Sequence, residues 1–124
     1  MAIKVKGFNH YAIAVSDVDK SIAFYHDILG LGMLLRPNFD FKGAWLDCGH
    51  GIAIHLIEQN GKITPDSGSR QLHFAFAVDD LISTKTYLLS KGIPIIKDIK
   101  ARPDGVLQMF IQDPDGYYVE LTEV

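Results

Sequence analysis

The sequence predicts an α+β domain made from two copies of one βαβββ unit, and two pairs of matching segments carry that reading. His10-Tyr-Ala-Ile-Ala-Val-Ser-Asp17 resembles His73-Phe-Ala-Phe-Ala-Val-Asp-Asp80 at an offset of 73 − 10 = 63. Gly51-Ile-Ala-Ile-His-Leu56 resembles Gly116-Tyr-Tyr-Val-Glu-Leu121 at an offset of 116 − 51 = 65. Two blocks in the same order at nearly the same offset indicate an internal duplication, with a small loop insertion between them. The chain of 124 residues has the size of a single domain, 1–124, with repeat halves at about 1–60 and 70–124.

Each half reads the same way along the chain. Phe8 to Val15 alternates and is rich in β-formers, which predicts a strand. Ser16-Asp17 can cap a helix whose apolar positions Val18, Ile22, Tyr25 and Leu29 lie on one face, with Gly30 as its stop. Three short strands are predicted around Met33–Arg36, Gly43–Cys48 and Ile52–Ile57. The polar, turn-rich stretch Gly61–Ser69 reads as the linker. The second half repeats the order, with a strand at Gln71–Val78 and a helix from Asp80 that stops at Gly92. Its closing strands lie near Ile95–Lys100, Val106–Gln112 and Tyr117–Thr122.

Strand parity brings four polar residues to notice, because residues two apart share a face. Tyr11, Ile13 and Val15 form a large apolar face, and His10, Ala12 and Ala14 form the other. Leu72, Phe74, Phe76 and Val78 likewise oppose His73, Ala75 and Ala77. In the last strand of each half, Ala53, His55 and Ile57 oppose Ile52, Ile54 and Leu56, while Tyr118, Glu120 and Thr122 oppose Val119 and Leu121. The repeat maps His10 onto His73 and His55 onto Glu120. A lone strand histidine is usually a core or surface residue, and Glu120 alone could face solvent from an edge strand. Their equivalence in a duplicated unit favours a shared role: three imidazoles and one carboxylate suit a divalent first-row metal with open positions.

Charge and composition exclude other classes. The 12 Lys and Arg against 15 Asp and Glu give a formal charge of −3, which argues against nucleic acid as a partner. Cys48 is the only cysteine, so neither an internal disulfide nor a Cys-based zinc site is expected. No apolar run approaches the ~20 residues of a membrane span, and the start MAIKVKGFNH lacks the apolar core of a secretory signal. The expectation is a cytoplasmic protein with no membrane partner.

The motifs Asn9-His10, Ser21-Ile-Ala-Phe-Tyr-His-Asp-Ile-Leu-Gly-Leu31, His73-Phe-Ala-Phe-Ala-Val78 and Asp113-Pro-Asp-Gly-Tyr-Tyr-Val-Glu-Leu121 resemble the vicinal oxygen chelate superfamily over nearly the whole chain. That superfamily includes glyoxalase I, fosfomycin-resistance proteins, extradiol dioxygenases, methylmalonyl-CoA epimerase and bleomycin-binding proteins. The resemblance implies a curved, half-open mixed sheet around a cleft, and one divalent metal per site (Ni, Zn, Co, Mn or Fe). It assigns ligation to His10, His73 and Glu120, with a fourth ligand at His55 where glyoxalase I and the epimerase carry Glu or Gln. Three His and one carboxylate leave a net positive charge on a 2+ ion, making it a better Lewis acid.

The implied activity is that of a glyoxalase-like lyase or isomerase. Its small substrate is chelated through adjacent oxygens, and Glu120 serves as the proton-transferring catalytic residue. The alternatives are a non-catalytic small-molecule or antibiotic-binding resistance protein, or a metal-dependent dioxygenase or transferase. The glutathione-holding arginine of glyoxalase I falls on Ala14, and the fosfomycin-resistance threonine on Ala12, and the basic C-terminal extension of those proteins is not expected beyond Val124. Bleomycin-binding relatives lack the ligands retained here. Members often dimerise, so a homodimer is expected, with the site within one chain or across two.

Parity and the repeat also nominate a substrate pocket of Trp45, Phe110, Gln108 and Tyr118. Trp45 and Phe110 match each other at the offset of 65 and either flank the substrate or, in one case, fill the core. Ala44, Leu46, Cys48, Met109 and Ile111 read as helix-facing. Arg36, Arg70 and Arg102 are candidates for an anionic group, His26 and His50 read as surface residues, and Cys48 as a small buried hydrophobe.

Overall fold

A computed structural model of the chain describes residues 2–63, 65 and 72–124. Arg70, the end of the Gly61–Ser69 linker and the first residue of the strand expected at Gln71 lie outside the described residues. The chain divides into two compact units, Met1–Ile63 and Thr64–Val124.

The first unit runs β1 (His10–Val15), α1 (Val18–Ile22), a π-helix (Ala23–Ile28), β2 (Gly32–Leu34), β3 (Gly43–Asp47) and β4 (Ala53–Glu58). Its four strands form one open mixed sheet in the order β1-β4-β3-β2, with β1 parallel to β4 and the other pairs antiparallel. The second unit runs β5 (Phe74–Val78), α2 (Leu81–Ser90), β6 (Lys97–Ala101), β7 (Leu107–Gln112) and β8 (Tyr118–Glu123). Its sheet has the order β5-β8-β7-β6, again with only the first pair parallel. The α+β architecture and the βαβββ repeat are therefore those read from the sequence.

The repeat extends to single hydrogen bonds. Ala12 stands opposite His55 and Ala75 opposite Glu120, while Trp45 faces His55 and Phe110 faces Glu120. Asp17 Oδ1 accepts from the backbone N–H groups of Asp19 and Lys20, and Asp80 Oδ1 accepts from those of Ile82 and Ser83. Each aspartate thus satisfies two of the orphan donors at a helix start. A glutamate at the end of each parallel strand adds a third: Glu58 accepts from Val18 N and Glu123 from Leu81 N, both at 2.9 Å.

The helix of the first half departs from the expected face. Val18 and Tyr25 are buried as predicted, but Ser21 and Phe24 are buried with them, whereas Ile22 and Leu29 are only half-buried. The cause is the π-helical stretch, where Leu29 N donates to Phe24 O at 3.0 Å. An i→i+5 bond inserts a residue into the turn and rotates the residues beyond it. The predicted stop at Gly30 holds, with φ of +81°. At Gly92 (φ +75°) the chain closes α2 by donating from Gly92 N to Leu89 O and from Ile93 N to Leu88 O, the paired bonds of a left-handed helix terminus.

Strand limits shift by a few residues from expectation. β1 starts at His10, leaving Phe8 exposed. β2 ends at Leu34, because Leu35 turns into solvent and Pro37 has no N–H to extend a ladder. Ile13, Val15, Phe24, Tyr25, Leu46, Ile54 and Leu56 fill the first core; Leu81, Leu88, Met109, Ile111, Val119 and Leu121 fill the second. Each such side chain contributes ~1.5–3 kcal/mol on burial. The polar faces of both sheets are left for other work.

Candidate metal-ligand pairs

In the first unit the parallel pairing of β1 with β4 sets His10 opposite Ala53 and His55 opposite Ala12. Both histidines alternate with the buried face of their strands, so they leave the sheet on the side away from the core. Their rings stack with centroids 4.0 Å apart and planes 12° from parallel. Trp45 stacks on the other side of His55 at 4.1 Å and 3°. Because β4 lies between β1 and β3, His10, His55 and Trp45 form one column of rings across the sheet. The small Ala12 and Ala53 leave room for it.

Asn9 Oδ1 and His10 Nδ1 are 2.7 Å apart. The amide oxygen can only accept, so His10 donates from Nδ1 and keeps Nε2 as an acceptor. A cleft of about 530 Å³ opens over these groups, walled by Leu34, Phe39 and Trp45 as well as Asn9, His10 and His55. Burial pushes the pKa of His55 down, helped by the charges of His10 and Arg36. His55 therefore favours its neutral form, the one that offers a lone pair to a metal.

In the second unit His73 Nε2 and Glu120 Oε1 are 3.0 Å apart. Glu120 is 6% exposed, on a strand flanked by β5 and β7, so the edge-strand alternative does not apply. A carboxylate buried to that degree requires a partner, and His73 supplies one. Phe110 is buried beside them, its ring edge-on to His73 at 5.6 Å and to Tyr118 at 6.3 Å. Tyr118 and Gln108 are half-buried on the same sheet.

Each unit thus brings together two of the four sequence-predicted ligands, at equivalent register positions. Among the described residues no group of three or more His, Cys, Asp or Glu side chains gathers in a metal-holding cluster. The donor chemistry within each pair fits a divalent ion: neutral imidazole with Nε2 available at His10, neutral imidazole favoured at His55, and an imidazole beside a carboxylate in the second unit.

The remaining candidates have other tasks. Arg36 donates to the carbonyl oxygen of Phe41 at 2.9 Å and lies 4.9 and 5.0 Å from the rings of Phe39 and Phe41, clasping the 36–41 loop. Arg102 forms a two-point bridge to Asp104. His26 Nδ1 meets Leu31 O at 2.6 Å, and His50 is exposed in a turn with φ of +53°. Cys48 is half-buried; burial and then Asp47 push its thiol pKa up, which disfavours the nucleophilic thiolate. The sequence reading gave Asn9, Leu34 and Phe39 no place in the cleft. Asn9 could have been flagged by its place beside His10, whereas Phe39 stands in a loop without periodicity.

Residues 7–121 match the family model described as Glyoxalase/Bleomycin resistance protein/Dioxygenase superfamily. The chain is 33% identical over 121 residues to a protein of Synechocystis sp. named "Probable lactoylglutathione lyase", the match covering 92% of each chain. It is 34% identical over 119 residues to "Glutathione transferase FosA" of Serratia marcescens, covering 94% of this chain and 80% of the relative. The crystal structure of lactoylglutathione lyase from Agrobacterium tumefaciens superposes with a TM-score of 0.73 at 26% identity, over 96% of this chain and 94% of the other.

Proposed function

The chain belongs to the Glyoxalase/Bleomycin resistance protein/Dioxygenase superfamily, and from that premise we propose that it is a metal-dependent glyoxalase-like enzyme of the lyase or isomerase type. The observation that carries the reading is the equivalence of the two pairs. His55 opposite Ala12 and Glu120 opposite Ala75 hold the same register positions of a duplicated unit, with His10 and His73 each two residues before that alanine. We read them as the ligands of one divalent ion (Ni, Zn, Co, Mn or Fe), a first half giving two and a second half, of the same chain or of a second copy in a homodimer, giving two. A bound ion of this kind supplies Lewis acidity toward a carbonyl or hydroxyl oxygen of the substrate.

The chain's own residues do the rest. Glu120 is the base: its carboxylate would take a proton from carbon next to a carbonyl and return it to the neighbouring carbon. Its burial limits exchange of that proton with water. Trp45, Phe110, Gln108 and Tyr118 line and orient the substrate. Relatives named lactoylglutathione lyase support substrates linked to glutathione. Ala14, where the resemblance puts a glutathione-holding arginine, favours a small α-hydroxycarbonyl or 2-oxoaldehyde adduct not gripped at that point.

Metal analysis of protein purified without added metal or tag, followed by titration with each ion and a screen of such substrates with and without glutathione, tests the proposal. The expected result is tight uptake of one divalent ion per site and turnover that Glu120→Gln abolishes. A chain that takes up none of these ions is a non-catalytic ligand-binding member instead. Sedimentation is expected to give about twice the chain mass of 13.8 kDa; a monomer at every concentration would rule out the homodimer.

A further inference from the structure

We propose that Asn9 is a positioning residue that fixes which ring nitrogen of His10 carries the proton, leaving the Nε2 lone pair as its ligand atom. The inference rests on the metal-dependent reading above for its purpose, but not for its geometry. A neutral imidazole has one donor and one acceptor nitrogen, and the hydrogen-bond partner of either nitrogen decides the assignment. Asn9 Oδ1 stands 2.7 Å from His10 Nδ1, and with the amide oxygen turned to the ring the complementary tautomer is the Nδ1–H form. The same ring is held from its face by His55, 4.0 Å away and 12° from parallel. One contact thus sets the proton and the other sets the plane. A ring constrained in both ways loses little freedom when it binds, which is how outer partners of metal-binding histidines raise affinity.

The duplication supplies an internal comparison. At the offset of 63 that maps His10 onto His73, Asn9 maps onto Leu72, whose side chain has no acceptor to offer. His73 instead meets Glu120 through Nε2 at 3.0 Å. His10 is thus met by Asn9 through Nδ1, and His73 by Glu120 through Nε2. Asn9 also lines the cleft over His10 and His55, so its amide nitrogen remains available to a ligand there.

The test is made on the metal-free chain by long-range proton–nitrogen NMR at about pH 8, above the ordinary imidazole range. His10 is expected in the Nδ1–H form. Asn9→Leu, which installs the residue of the second half, should abolish that preference, and Asn9→Asp, which keeps the acceptor, should retain it. In parallel, competition with a chelator for zinc should show affinity falling roughly 10- to 100-fold in Asn9→Leu and substantially recovered in Asn9→Asp. A wild-type His10 protonated on Nε2 overturns the inference, as does an Asn9→Leu variant that keeps both tautomer and affinity. If Asn9→Leu does not fold, the wild-type spectrum alone decides the tautomer. A chain that shows the Nδ1–H form at His10 and yet takes up no metal would sink the metal reading while leaving the role of Asn9 in setting the tautomer intact.

Discussion

His55 sits between two rings, and that position governs its proton. Burial, His10 and Arg36 all press its pKa below the ordinary value, so the unfolded chain takes up this proton at a higher pH than the folded one does. The stability linked to His55 is then fully present above the unfolded pKa of about 6.5 and is lost as pH falls through the lower folded value. Thermal melts of the metal-free chain should fall over that acid window more steeply for the wild type than for His55→Gln. Equal slopes would mean that the column does not disfavour the charged ring. Ser21 offers a second test. Its hydroxyl is fully buried without a hydrogen-bond partner, and an unmet buried hydroxyl costs about 1–3 kcal/mol. Ser21→Ala should therefore raise stability, by ~1 kcal/mol in denaturant melts; a loss would mean that the hydroxyl is satisfied in solution.

At the scale of elements, the joint between β3 and β4 is the tightest place beside the first ligand pair. A Cβ on Gly43 would collide with the carbonyl oxygen of Leu56 and stand 3.0 Å from the Arg36 guanidinium. The backbone oxygen cannot step aside without moving β4, which carries His55. Gly43→Ala should cost about 1–3 kcal/mol and weaken metal uptake with it; unchanged stability would show that the strand can give. Much of this scaffold was legible in the sequence. The alternation of Phe74, Phe76 and Val78 against His73, Ala75 and Ala77 gives the strand face directly. Asp17 and Asp80 announce helix starts, because short acceptor side chains satisfy first-turn donors. The π-helix was not legible: Val18, Ile22, Tyr25 and Leu29 fit an ordinary helix equally well, and only packing reveals the extra residue. Phe39 was illegible for another reason, since Arg36 clasps its loop through contacts that obey no period.

At the scale of the molecule, duplication explains why His10 and His55 in one half, and His73 and Glu120 in the other, acquire meaning together. On the proposed reading one βαβββ unit supplies two ligand positions and two units supply four, a number that would bind an ion and leave positions for a substrate. The approach of His10 to His55, and of His73 to Glu120, within each half was readable from the 63 and 65 offsets and strand parity. The contacts that hold the two histidine rings were not, because the approach of Asn9 to His10 and the stacking of Trp45 on His55 are side-chain geometry that only the folded sheet shows. The proposed metal site, with ligands from both halves, is tested most sharply by calorimetric titration of the metal-stripped chain with nickel and zinc, beside His10→Ala, His55→Ala and Glu120→Ala. One tight site per wild-type chain is expected, lost or strongly weakened in every variant, so that both halves of the repeat prove necessary. A wild-type chain with no uptake, or Glu120→Ala binding as tightly as the wild type, would contradict a site shared between the halves.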